Sequence, residues 1–267
     1  MLKNLFKYEF KWMLGKIVFA WIVVLSVAVL HCINLLLVES FSDTIAKSSV
    51  LSTMTLMSSG MLSFLFSVSI GLSLTFCYIM AAVRFYRNIY SSEGYFTLCT
   101  PIDFKSHIFC KFMVAFICAL LTLVVDGIAY FIAFAFNRDL VTTIFKAFAN
   151  LLNSPESFLF VVEIAIGGIA LLSDAILKMY LAVSFGQCFK NKVLGAILFY
   201  FIISFVLEIA FSVIAGIYIA VVFIGGAVTS SAVIHLTLWL AIIAISGVAI
   251  GSYAIVLNRL KTKLNLE

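Results

Sequence analysis

The sequence predicts an all-α integral membrane protein of six transmembrane helices with both termini cytoplasmic, and three observations carry that expectation. Of its 267 residues, 64% are hydrophobic and 11% charged, with a mean hydropathy of +1.22; soluble domains carry about 25% charged residues. The charges gather in short clusters between uncharged runs, each long enough to cross about 30 Å of hydrocarbon. Lys and Arg also fall mainly on one side: thirteen (Lys3, Lys7, Lys11, Lys16, Arg84, Arg87, Lys105, Lys111, Lys190, Lys192, Arg259, Lys261, Lys263) against three (Lys47, Arg138, Lys146). The basic side is the cytoplasmic one by the positive-inside rule. Residues 1–267 therefore read as a single transmembrane domain, with no soluble domain left over.

Residues 1–16 place Lys3, Lys7 and Lys11 at i, i+4, i+8, opposite Leu2, Leu5, Phe6, Phe10 and Met13. The pattern predicts a basic amphipathic helix along the cytoplasmic surface, or simply the basic flank of the first span. The lysines are spread out and no small-residue cleavage site follows, so no removable signal peptide is expected. Span one is expected at 17–38, followed on the outer side by Glu39, Asp43 and Lys47. Residues 48–83 carry no charge and are too many for one straight crossing. Their Ser/Thr-rich start predicts an outer loop or short interfacial helix at 48–60, with span two at 61–83.

Span three follows at 112–133 and the larger outer loop at 137–156, with room for an amphipathic helix; span four is expected at 158–183 and a tight cytoplasmic turn at 187–192. Span five is expected at 193–215, continuing apolar toward Phe223. The run Gly225–Ser231 is the best break before span six at 232–256, and the tail from Arg259 is basic again.

Between spans two and three lies RFYRNIYSSEGYFTLCTPIDFKSHIFCK (84–111), the longest polar interruption in the first half of the chain. A short element held on the basic side by two spans is what a membrane protein offers to a soluble partner. Tyr90 and Tyr95 are the expected anchors in a partner's pocket, Arg87 and Glu93 the expected polar contacts, and Gly94 and Pro101 the residues that set the turns.

Motifs for chemistry within the chain are missing from the sequence. It has no GxxxxGK[ST] loop to cradle phosphates, no HExxH and no GxSxG. His31, His107 and His235 lack metal-ligand spacing, and the six cysteines have no CxxC spacing and read as small hydrophobes. No catalytic residue, metal site or nucleic-acid partner is expected.

Three stretches in order, LFKYEFK (5–11), RNIYSSEGYFTLCTPI (87–102) and GQCFKNKVLG (186–195), together resemble the permease subunits of bacterial ABC-2 type exporters. The most specific part is Glu93-Gly94-Tyr95 with Pro101 six residues after the tyrosine. The resemblance implies a coupling helix within 84–105 resting on a separate cytoplasmic ABC ATPase, which would bind ATP and Mg. It also implies a second permease chain, identical or different, that pairs with this one in the cell membrane to enclose the path.

Ionisable groups in hydrocarbon cost several kcal/mol unless they face protein or water. His31, Asp126 and Glu208 lie about 14 to 15 residues from their cytoplasmic ends, about 20 Å along a helix and just past the midplane. Asp126 and Glu208 are equally readable as pathway residues or as buried ties between helices. Asp174 and Lys178, at i, i+4, are expected to pair, and Glu163 to snorkel to the outer surface. An amphipathic or lipophilic cargo (a drug, an antimicrobial peptide or a lipid) suits a path rich in Phe, Ser and Thr. The other reading is a non-transporting immunity or sensor scaffold whose 84–111 segment recruits a cytoplasmic protein.

Overall fold

The computed structural model describes residues 2–42, 48–91, 94, 103–135, 141–143, 145, 146, 149, 151, 155–224 and 231–262. Six long helices account for nearly all of them: α1 (Leu2–Ser40), α2 (Ser49–Tyr90), α3 (Phe104–Ala133), α4 (Pro155–Gly186), α5 (Lys192–Ile224) and α6 (Ser231–Thr262). There is no strand among the described residues. Hydrocarbon offers no partner for a free N–H or C=O, so each apolar run must satisfy its backbone within itself, and a helix does so. All six are long and apolar enough to cross a membrane.

Each helix outruns the span expected within it. At 1.5 Å per residue, the 39 residues of α1 and 42 of α2 reach about 58 and about 63 Å, about twice the hydrocarbon thickness. The N-terminal basic segment is not separated from span one; α1 runs through Lys16 without a break. Lys3, Lys7 and Lys11 are exposed along it, while the half-buried rings of Phe6 and Phe10 stack at 6.0 Å.

The second difference is at 48–60. Instead of a loop or separate interfacial helix, these residues form the N-cap and first turns of α2. Ser48 caps it, its side chain accepting from the Leu51 N–H at 3.4 Å. The hydroxyls that suggested a loop are satisfied inside the helix, Thr53 donating to the Ser49 carbonyl at 2.8 Å and Ser59 to that of Thr55 at 2.9 Å. Such back-bonding lets Ser and Thr sit in a helix without unsatisfied polar groups. Most of the outer loop 137–156 and the break 225–230 lie outside the described residues, as does nearly all of 92–102, where the coupling helix is expected.

Helices α1, α2 and α3 pack on one another, and α4 packs on both α5 and α6; α2 and α3 meet α4, and α3 meets α6. The one substantial neighbour of α5 among the described residues is α4. The large buried cluster that joins these two three-helix units draws on their basic halves: Cys77 to Tyr90 of α2, Ile108 to Ala119 of α3, Leu172 to Val183 of α4 and Ala249 to Leu260 of α6, with Met13 and Ile17 of α1. At its centre the fully buried rings of Phe85 and Tyr180 stack at 4.2 Å. The cluster toward the opposite end (Val24, Ala28, Phe66, Ala129, Ala133) belongs to α1, α2 and α3 alone.

Candidate functional site: a buried charge node at the base of α1, α2 and α3

Glu9, Met13, Ile17, Val24, Ala28 and His31 are the buried residues of one stripe along α1, spaced by four, four, seven, four and three. That is the face a helix turns toward its neighbours, and its first member is a carboxylate. Lys111 of α3 donates to Glu9 Oε1 at 2.7 Å, Asn88 of α2 to the same oxygen at 2.6 Å, and Arg84 Nε to Oε2 at 2.7 Å. The Glu9 and Lys111 side chains are 4% and 3% exposed, so this is a buried ion pair; Arg84, at 20%, keeps contact with the surface. Its guanidinium also sits over the Trp12 ring, 4.7 Å from the centroid, a cation–π contact.

Arg84 and Asn88 belong to the last turns of α2, just before 92–102, and Lys111 to the early turns of α3 just after. Glu9 therefore ties both stems of that connection to α1. The stems are tied to the other unit as well. Tyr90 donates to Ser184 Oγ at 3.0 Å, and Tyr180 to the Lys111 carbonyl at 3.2 Å. A void of about 10 Å³ lies among Glu9, Arg84, Lys111 and Tyr180, close to the smallest space that holds one water.

Tyr90 is turned inward. Expected as an anchor for a partner's pocket, it is 4% exposed and is spent on α4. Its position at the end of α2 turns it inward, toward the second unit, when α2 packs on α4. Arg87 is exposed on the same turn. Gly94 is buried and donates to the Ser91 carbonyl at 2.7 Å, while Glu93, Tyr95 and Pro101 lie outside the described residues.

Above the node, further polar groups occupy the interior of the same three helices. Trp21 Nε1 donates to Thr122 Oγ1 at 3.1 Å, and Ser73 donates to the Asp126 carboxylate at 2.8 Å. The buried Asp126 is thus a tie between α2 and α3. His31, 1% exposed, stacks on Phe66 at 5.9 Å and meets Phe134 edge-on at 5.3 Å, with no hydrogen bond to either ring nitrogen among the described residues.

Glu208 is separate from all of these, exposed on α5. Asp174 and Lys178 form an ion pair of 2.7 Å along α4. Glu163, expected to snorkel, is instead 5% exposed with its Oε2 2.7 Å from His235 Nδ1. The long α4–α6 contact encloses it and supplies its partner.

Glu9, the centre of the node, was not singled out by sequence reasoning. A signal for it exists: it lies four residues before Met13 and eight before Ile17, a carboxylate on an apolar face. Lys3, Lys7 and Lys11, recurring over about two turns of the neighbouring face, dominate the pattern and hide it.

Fold and interior polar groups together define an α-helical, multi-pass membrane protein. No family model matches this chain, and neither does any curated protein or solved structure.

Proposed function

We infer that this chain is the transmembrane permease subunit of an ABC-2 type exporter in the cell membrane, carrying an amphipathic or lipophilic cargo while a separate cytoplasmic ATPase binds and hydrolyses ATP. The observation that supports this most is the Glu9 node. A push on the connection between α2 and α3 reaches α1 through Arg84, Asn88 and Lys111, and reaches α4 through Tyr90 and Tyr180. Coupling between distant sites needs such a contiguous, stiff set of contacts.

A second permease chain fits the exposed α5. Its apolar flank has one substantial neighbour among the described residues, α4, and carries a carboxylate, Glu208, that would be costly against lipid alone.

Co-purification and transport assays test the reading. The wild-type chain should hydrolyse no ATP by itself and should co-purify with a P-loop ATPase. Glu93→Ala with Tyr95→Ala should release that ATPase or uncouple it from transport, while the folded membrane part is retained by size-exclusion chromatography. Wild-type ATPase binding and transport in the double variant would end the coupling reading. ATPase binding with no transport of any cargo by the wild-type complex would instead favour the scaffold.

A further inference from the structure

The joint between the two three-helix units is not closed along its whole length. A groove of about 390 Å³ lies between α3, α4 and α6, lined by Phe109, Phe112, Ile169, Ile250 and Tyr253 among others. Its volume is within the about 300–1,000 Å³ of small-ligand sites. Phe109, Ile169 and Ile250 are 52%, 49% and 69% exposed and lie within helices long and apolar enough to span the membrane. The opening therefore faces along the flank of the helices, toward hydrocarbon.

At the basic end of the groove the chemistry changes. Lys105 precedes Phe109 and Phe112 by four and seven residues, which puts all three on one face of α3. Its side chain is exposed and its ammonium has no partner among the described residues. Tyr253 reaches the same place from α6, its hydroxyl donating to the Lys105 carbonyl at a long 3.4 Å. A slot open to hydrocarbon with a cation and a hydroxyl at its mouth matches a molecule with an acyl chain and an anionic head. Basic pockets between helices at a membrane surface bind such heads.

We propose that this groove binds one anionic phospholipid of the leaflet at the basic end, an acyl chain lying between α3 and α6 and the headgroup phosphate on the Lys105 ammonium. The lipid sits between helices of the two units, α3 on one side and α4 and α6 on the other, so it acts on the joint itself. The site is independent of the coupling reading and of any cargo.

Native mass spectrometry of the detergent-purified chain tests it, with phosphatidylglycerol and phosphatidylcholine of identical chains as probes. The wild type should retain phosphatidylglycerol about fivefold more tightly, the weight of one lysine at an anionic surface. Lys105→Gln should abolish that preference by weakening phosphatidylglycerol more than phosphatidylcholine, Lys261→Gln should leave it intact, and Ser246→Trp, which fills the groove, should weaken both lipids. Brominated lipids give a second readout at the exposed rim of the groove: the emission that Ile250→Trp adds to that of the wild type should be quenched more by brominated phosphatidylglycerol than by brominated phosphatidylcholine. Equal retention of the two lipids by the wild type, or the same loss of preference in Lys261→Gln as in Lys105→Gln, would overturn the proposal and leave only the general lipid shell.

Discussion

A carboxylate at position 9 is tolerable inside an apolar bundle because three donors reach it and one of them carries its charge into the same interior. A buried pair of this kind is worth little over well-packed hydrophobes, yet breaking it is expensive, since the remaining charge has no solvent. Glu9→Ala is therefore expected to lower the unfolding free energy by about 3–5 kcal/mol, with Lys111 left buried and uncompensated. Glu9→Leu combined with Lys111→Met should recover most of that loss, because Arg84 is partly exposed and keeps Trp12. Denaturant unfolding in mixed micelles measures both. A double variant as unstable as the single one would show that Lys111 is not what makes the loss large. The double variant also serves function: fold without coupling is the outcome expected if the node carries motion between the connection and α1.

At the scale of the element, the turn between α4 and α5 depends on two glycines that bracket GQCFKNKVLG (186–195). A Cβ on Gly186 would lie 2.5 Å from the Ala196 nitrogen, and one on Gly195 would lie 2.8 Å from the Gly186 carbonyl oxygen. These are backbone atoms, which cannot rotate away. Gly186→Ala should therefore destabilise by about 1–3 kcal/mol, as overpacking does, and splay α5 from its one substantial neighbour. Gly247 of α6 has nothing within 4 Å of an added Cβ, so Gly247→Ala should be neutral or gain up to about 1 kcal/mol from helix propensity. Thermal unfolding of the two variants side by side checks the contrast. Equal shifts of the same sign would mean that the α4–α5 crossing is looser than its geometry. The motif could be read from the sequence as a tight turn; that its terminal glycines face each other's helix could not.

For the whole molecule, the buried cluster shared by the two units lies entirely in their basic halves, and the cluster toward the opposite end belongs to only one of them. The molecule is thus joined at the end where Lys and Arg gather. If that end is cytoplasmic, as thirteen basic residues against three imply, single cysteines placed in a cysteine-free background report it directly. Positions 92 and 261 should be shielded from a membrane-impermeant maleimide in intact cells, and position 150 should react. Labelling of position 92 from outside would invert the chain and remove its connection from any cytoplasmic ATPase.

The sequence by itself determined the helical class, the number of long apolar helices, the side on which basic charge gathers and the Asp174–Lys178 spacing that the ion pair uses. These depend on hydropathy and on residues within a turn or two of each other. Only the tertiary structure decided that Glu9 is met by groups 75 to 102 residues away, that Tyr90 points inward to Ser184, that Asp126 has Ser73 and that Glu163 has His235. It also decided that the serines and threonines of 49–60 extend α2. In a membrane protein the faces turned to lipid and to other helices are nearly equally apolar, so hydropathy marks where a helix lies without marking which way it faces. The pairing of faces, set by packing across the bundle, chooses which polar residues meet.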